Sequence, residues 1–378
     1  MNAIGIICEL NPPHLGHKLL FDFARKAANG CGIVAVMSGN FVQRGEPAVF
    51  PKHLRTAAAL RSGADLVLEL PVPYALSSAE GFASTSVAIL AATGIVNTLA
   101  FGAESGDMAA LCRAAKTLDL PECGQIIRDE LKRGRSYARS CQLALENMLG
   151  DDAKVLESPN NMLGIQYLRA IDGCGVEMDA ICVKREPGIT ASGLRSELQD
   201  GKENPEGILP VPYYAAPIFP EDLEVAMLSR LRALPEEAFF KTPGASDGIA
   251  ERAVRLCDDS GSIEELARMI KTKRHTLSRV RRYIMCLVLG ITELHIKTPQ
   301  YIRVLGANET GYAMLKGMNA TLPVVTKPAD GRRLGGDALQ LLELEAAATD
   351  FYNLGYKAPE LRRGGAEWRI SPVAPRAL

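Results

Sequence analysis

Short apolar runs alternate with stretches of helical period over the first 200 residues. The runs Ala3–Cys8, Ile33–Met37, Leu66–Leu70, Thr98–Phe101 and Asp179–Val183 are too short for helices and predict strands. Helical spacing predicts helices over His17–Ala28, Lys52–Ser62, Ser77–Ala92, Met108–Leu118, Gly124–Met148 and Asn161–Ile171. Alternation of this kind specifies an α/β fold, a doubly wound parallel sheet covered by helices on both faces. Such sheets bind ligands beyond the carboxyl ends of their strands, so the loops that follow the runs hold the candidate chemistry.

The pattern changes near residue 200. Pro205, Pro210, Pro212, Pro217 and Pro220 block both helix and ladder hydrogen bonds, which predicts a linker over 201–220. From Glu221 to about Leu289 the pattern is helical and charged, and 301–327 reads as short helices and turns. Another helix is expected over Asp337–Leu354, with Asp337 as N-cap and Gly355 just past its end. The division is then a first domain over 1–200, a mainly helical one over 221–356, and a flexible tail over 357–378. Two domains also suit a chain of 378 residues.

Composition narrows the class. An apolar content of 47% supplies a core, and a formal net charge of −1 means that any nucleic-acid surface must be local. Nine cysteines without CxxC spacing, mostly inside apolar runs, point to reduced thiols and the cytoplasm. With five scattered histidines, they argue against structural zinc. The start has no basic region followed by a small-residue cleavage site, so no secretory leader is expected. The apolar stretches Val87–Phe101 and Ile284–Ile291 fall short of the ~18 residues a membrane span needs.

The first run ends in Asn11-Pro12-Pro13, followed by His14-Leu15-Gly16-His17 at the start of a helical pattern. Two histidines three apart lie on one side of a first turn, whose free N–H groups and dipole favour an anion. Gly16 lets the backbone approach that anion. This arrangement suits a nucleotide's phosphates, with imidazole N–H groups steadying charge as pyrophosphate leaves. After the second run, Ser38-Gly39-Asn40-Phe41-Val42-Gln43-Arg44-Gly45-Glu46-Pro47 forms a polar loop at the same edge, where Gln43, Arg44 and Glu46 are placed for substrate or phosphates. Asp65 just before the third apolar run and Glu69 within it are expected to be paired. Gly102 follows the fourth run and admits adenosine, and the Asn160-Asn161 pair offers one cap and one ligand contact. Arg185 follows the fifth run. Thr190-Ala191-Ser192-Gly193-Leu194-Arg195 then opens a helix with a second anion site.

The helical half carries one strong charge feature. Six of the twelve residues 271–282 are Lys or Arg and none is acidic: Lys271, Lys273, Arg274, Arg279, Arg281 and Arg282. Ile270, Leu277, Val280, Ile284 and Leu287 supply a buried stripe that would turn the cations outward on one basic helix, a footprint for a phosphate backbone. Arg303 and Lys316 are expected to extend the patch.

His14-Leu15-Gly16-His17 with Thr190–Arg195 resembles the paired signatures of the HxGH nucleotidyltransferase superfamily. The Gln-Arg-Gly-Glu-Pro-Ala loop, Asp-Leu-Val-x-Glu-Leu-Pro, Ser-Pro-Asn-Asn and Lys-Thr-Lys-Arg extend the resemblance to one member family, tRNA(Met) cytidine acetate ligase, over residues 1 to about 355. The chain departs from that pattern at Pro13, Gly193-Leu194 and His275, and its stretch between Arg185 and Arg195 is short.

The resemblance implies a two-step, ATP-dependent ligase of the HxGH fold. It would activate acetate as acetyl-adenylate and pass the acetyl group to the exocyclic amine of the wobble cytidine of elongator tRNA(Met). It implies His14, His17 and Arg195 as catalytic residues. It implies ATP contacts from Ile7, Cys8, Glu9, Leu10, Asn11, Gly16, His17, Leu20, Gly102, Asn160, Asn161 and Arg185. Ser38, Gly39, Gln43, Arg44 and Glu46 would form the substrate loop, and the six cations of 271–282 would bind tRNA. ATP is expected to arrive with Mg2+, with no membrane and no stable protein partner. Two other readings stay open on the residues alone: an adenylyltransferase acting on a small cofactor precursor, and a non-catalytic RNA-binding nucleotide sensor.

Overall fold

A computed structural model of the protein describes residues 2–185, 188, 190–202, 216–296 and 298–374. In chain order the strands are β1 (Ala3–Cys8), β2 (Gly32–Ser38), β3 (Phe41–Val42), β4 (Glu46–Pro47), β5 (Leu66–Leu70), β6 (Val96–Ala103), β7 (Asp179–Lys184), β8 (Ile302–Ala307) and β9 (Val324–Val325). Seven of them form one sheet in the order β7-β6-β1-β2-β5-β8-β9, and β3 pairs with β4 in a small hairpin. The five strands read from the sequence are parallel to one another, and β1 is buried along its whole length. From β1 the chain moves to one side through β2 and β5, then returns to the other side as β6 and β7. The crevice where a ligand fits opens at this reversal, beyond the carboxyl end of β1.

Apolar faces on both sides of the sheet fix the layers. Ile4, Ile6, Ile33 and Ala35 pack under Phe21, Ala24, Ala59 and Leu60 of the helices Leu15–Ala27 and Lys52–Ser62. Ile7, Val34, Val36, Leu99 and Phe101 pack on the other face with Val87, Leu90, Leu111 and Ile165 of the helices Ala79–Ala92, Met108–Leu118 and Pro159–Gly173. The helix expected over Gly124–Met148 is two, Pro121–Lys132 and Tyr137–Leu149, because Gly134 takes φ +83° and Ser136 caps the second.

The C-terminal half departs further from the expected division. The linker residues 203–215 lie outside the described residues. Helices from Pro220 to Leu289 build a second core, which also takes in Phe41, Val72 and Leu76 from the first half. The segment expected as short helices and turns then rejoins the main sheet as β8, antiparallel to β5 with Glu69 opposite Arg303. The helix Gly336–Asn353 is capped at Gly335, not Asp337. The expected flexible tail is docked through Val373. The Glu367 carboxylate is fully buried, 2.9 Å from Lys52 Nζ and 3.4 Å from the Arg303 guanidinium. Val373 bridges to Gly306, which extends the sheet edge. Buried charges need buried partners, and the cations of Lys52 and Arg303 draw the tail in.

Candidate active site

His14 is the N-cap of the helix Leu15–Ala27. Its Nδ1 accepts the Gly16 N–H at 3.1 Å, and its own backbone N–H donates to His17 Nδ1 at 3.2 Å. Each ring thus uses Nδ1 as an acceptor, which assigns the proton to Nε2 in both. The ring centroids are 3.8 Å apart. Burial, then Arg185 and Arg195, push the His14 imidazole down to about 4. Burial, then His14 and Arg185, hold His17 well below the ordinary range. At neutral pH the pair therefore offers two uncharged Nε2–H donors beside two guanidinium groups.

Those guanidiniums come from opposite walls. Arg195 lies on the helix Ala191–Gln199, where Thr190 Oγ1 caps the Gly193 N–H at 3.1 Å, and it donates to the Asn11 carbonyl at 2.7 Å. The Asn11 side chain in turn accepts the Val49 N–H at 2.8 Å. Arg185 extends the β7 end, its N–H on the Ala103 carbonyl at 2.9 Å, and its side chain reaches Asn160 Oδ1 at 3.4 Å. A Cβ at Gly102 would lie 3.2 Å from the Arg185 stem, so glycine there keeps the arginine against the β6 end.

Neither Asn160 nor Asn161 is the expected cap. The cap position of their helix is Ser158. Asn160 Nδ2 and the Asn161 N–H both donate to the Glu104 carboxylate, at 2.6 and 3.0 Å, and Asn161 Oδ1 accepts the Ser105 N–H at 3.1 Å. Both asparagines clamp this helix to the loop after β6, and Asn160 also orients Arg185.

At the end of β1, Ile7, Cys8 and Leu10 are buried, Leu20 is half-buried, and burial pushes the Cys8 thiol up to about 12. Glu9 Oε1 accepts the Gln43 N–H at 2.8 Å and the Ser38 hydroxyl at 3.1 Å, while burial raises its carboxyl above the ordinary range. Arg55 escaped sequence reasoning. It is fully buried and donates to the carbonyls of Phe50 at 2.8 Å, Glu9 at 2.6 Å, Ser38 at 3.1 Å and Gly39, so one side chain staples the ends of β1 and β2 together. The available signal was the Ala57–Leu60 run beside it, which marks a helix enclosed on all sides. The paired acids are as expected: Asp65 meets Arg25 at 2.6 Å and Glu69 meets Lys52 at 2.6 Å.

The polar loop after β2 folds as the β3–β4 hairpin and docks on the helix Leu277–Leu289. Gly45 has φ +81°, and a Cβ there would run into the backbone of Arg281 and Arg282. Glu46 meets Arg281 at 2.7 Å, and the Gln43 carbonyl accepts from Arg282 at 3.3 Å. Arg44 is exposed.

The basic run is not one outward-facing helix. Ile270 ends the helix Ile263–Ile270, residues 271–276 turn, and Thr276 caps the next helix. Ile270, Val280, Ile284 and Leu287 are buried as the stripe required. Arg279 pairs with Asp247 at 3.0 Å, Arg281 with Glu46 and Glu264, and Arg282 is drawn to the hairpin. Lys271, Lys273 and Arg274 are exposed. Arg303 does not extend the patch: it is buried and bound to Glu367 and to the Thr326 carbonyl at 2.6 Å, while Lys316 is exposed.

All nine cysteines are free thiols. Among the described residues no group of three His, Cys, Asp or Glu is placed to hold a metal ion, and no helix is long and apolar enough to cross a membrane.

A family model described as HIGH Nucleotidyl Transferase matches residues 1–367. The tRNA(Met) cytidine acetate ligase of Caldanaerobacter subterraneus subsp. tengcongensis is 34% identical over 94% of this chain and 96% of its own length. That of Acetivibrio thermocellus is 34% identical over 97% and 98%. A crystal structure of Thermotoga maritima TmcAL bound with alpha-thio ATP matches with a TM-score of 0.89 and 32% identity, over 99% of both chains. Its apo form matches with a TM-score of 0.90 and 31% identity, again over 99% of both chains.

Proposed function

This chain belongs to the tRNA(Met) cytidine acetate ligase family of HIGH nucleotidyl transferases, and on that footing we propose that it acetylates the wobble cytidine of elongator tRNA(Met) at the expense of ATP. In the first step a carboxylate oxygen of acetate attacks the α-phosphorus of ATP. The bond from that phosphorus to the bridging oxygen breaks, and pyrophosphate leaves. In the second step the exocyclic amine attacks the acyl carbon of acetyl-adenylate, AMP leaves, and the amine's proton passes to solvent.

The observation that carries this reading is the neutral His14–His17 pair flanked by Arg185 and Arg195 at the carboxyl end of β1. Charge grows on the departing pyrophosphate, and preorganised N–H donors in a dry site stabilise it without reorganisation. Neutral imidazoles suit donation, because the arginines already supply the positive charge. Arg195 is tethered to Asn11 and Arg185 to Asn160, so both are positioned before ATP arrives. Gly102 with Arg185 would seat the adenosine, and the Gln43–Glu46 hairpin would close over the acyl group. Lys271, Lys273 and Arg274 are the exposed cations best placed to meet the tRNA backbone. Mg2+ would assist from the phosphates, and the cytoplasm is the compartment where ATP and tRNA meet.

The test is label transfer from labelled acetate to total bacterial tRNA, with ATP omitted as control. ATP-dependent label in acetylcytidine is expected. ATP binding without label on tRNA overturns the reading and favours an adenylyltransferase for a small precursor.

A further inference from the structure

A groove of about 700 Å3 lies apart from the histidine pair, between the catalytic sheet and the helical half. One wall is the turn Val72–Ala75 after β5 with the start of the helix Ala79–Ala92, and contributes Tyr74, Ser78, Ser84 and Thr85. The other wall is the helix Leu277–Leu289, and contributes Arg279 and Arg282. Its volume is that of a small-molecule cleft, about 300–1,000 Å3. Among the described residues that line it, two are cationic and none is acidic.

The charge on the second wall is arranged for an anion. Arg279 shares its guanidinium with Asp247 and Ser246, both at 3.0 Å. Among the described residues Arg282 donates only to a neutral carbonyl, that of Gln43, and burial together with the nearby Arg279 lowers its proton affinity. Two guanidiniums that repel each other in a partly desolvated wall gain from an anion between them. The remaining lining is apolar or hydroxyl-bearing, and the Tyr74 and Tyr283 hydroxyls are already tied to the carbonyls of Thr298 and Phe239 at 3.0 and 2.9 Å.

The groove is joined to the acyl end of the site by consecutive contacts. Arg282 holds the Gln43 carbonyl, the Gln43 N–H holds Glu9, and Glu9 closes β1. Gln43 Nε2 at this joint is buried and has no hydrogen-bond partner among the described residues, so it is a donor awaiting an acceptor. A base whose amine must reach an acyl-adenylate has to leave its stack, and unstacked loop nucleotides are what proteins hold in grooves with a cationic wall and an apolar one.

We propose that this groove receives unpaired nucleotides of an RNA loop, with Arg279 and Arg282 on the phosphodiester, and leads the acceptor base toward Gln43 and the activated acyl group. The proposal rests on the RNA-modifying reading above.

The test fills the groove from an exposed helix position. Ser84→Trp blocks it sterically, and Ser84→Glu places a repelling charge opposite the arginines. Three readouts are taken on the full chain: acetate-dependent exchange of pyrophosphate into ATP, acetyl transfer to tRNA, and binding of an anticodon stem-loop RNA against a duplex of equal length. Both variants should lose stem-loop affinity and transfer by roughly tenfold or more beyond any change in exchange, with duplex binding little altered. Wild-type stem-loop binding and transfer in both variants would overturn the groove, as would equal loss of stem-loop and duplex. If the wild-type protein binds the stem-loop but shows no acetate-dependent exchange, the ligase reading falls, and the Ser84 variants still decide the groove.

Discussion

Arg281 and Glu46 meet at 2.7 Å, with both side chains less than a third exposed, so the helical half grips the hairpin that follows the second strand. Arg281 has a second carboxylate, Glu264 at 2.6 Å, whereas Glu46 has only the arginine as an ion-pair partner among the described residues. The helix Leu277–Leu289 thus fixes where the hairpin sits beyond β2. Glu46→Gln should therefore cost about 1 kcal/mol of unfolding free energy. A double-mutant cycle with Arg281→Met in urea should return a coupling of similar size. A coupling near zero would show that this ion pair adds nothing to the grip on the hairpin.

His14 has two tasks that a single substitution can separate. Its Nδ1 caps the helix, and its Nε2–H is the donor proposed above for the leaving pyrophosphate. Asparagine is a good cap without an imidazole, so His14→Asn should keep thermal stability close to wild type, while His14→Ala loses about 1 kcal/mol. Both should lower acetate-dependent pyrophosphate exchange by roughly 10²–10³. If His14→Asn exchanges at the wild-type rate, the imidazole is a cap and nothing more.

The parts that were legible in the sequence are those specified by neighbours in the chain. β1, β2, β5, β6 and β7 announce themselves as apolar runs within a few residues of their observed bounds. The His14–His17 pair is legible because a strand, a breaker and a helix start lie together. β8 is not, because its partner β5 lies more than 230 residues earlier, and an antiparallel strand six residues long has no crossover helix to signal it. Arg303 was expected on the basic patch, and nothing in the sequence marks Arg55 or Lys52 as buried, since residue type alone places cations outside. Their burial depends on carbonyls and carboxylates brought from β1, β5 and the tail. The basic run misled for the same reason: Asp247, Glu264 and Glu46, which pair with its arginines, are distant in sequence.

Lys52 is enclosed with Glu69 at 2.6 Å and Glu367 at 2.9 Å, and neither the cation nor the Glu367 carboxylate reaches solvent. Although burial works against its charge, Lys52, His53 and Arg303 bring the Glu367 carboxyl down to about 2. Glu367→Gln leaves Lys52 with one carboxylate and Arg303 with backbone carbonyls, and removal of one partner from a buried pair costs on the order of 3–5 kcal/mol. The last segment of the chain is thus a structural element. Deletion after residue 356 should lower the urea midpoint more than Glu367→Gln does, because it also removes the Val373 bridge to Gly306. A deletion with a wild-type midpoint would contradict the docked tail.

His53 gives the fold an acid-side weakness. Both ring nitrogens are buried without a hydrogen-bond partner among the described residues, and burial pushes the imidazole down to about 3. In the unfolded chain the ring returns to its ordinary value near 6.5. Between those values the unfolded state binds a proton that the native state refuses, so this group's contribution is intact above pH ~6.5 and is lost as the pH falls toward 3. Glu345 acts in the opposite sense, since burial and Glu69 raise its carboxyl well above the ordinary range and the native state holds the proton. A comparison of His53→Leu with wild type isolates the histidine. At pH 7.5 the variant should be as stable as wild type or slightly more so, because two unsatisfied nitrogens are gone. Below the ordinary imidazole value it should gain on wild type by up to about 1.4 kcal/mol per pH unit. Parallel stability–pH curves from urea unfolding between pH 7.5 and 5 would mean that the His53 ring titrates alike in both states.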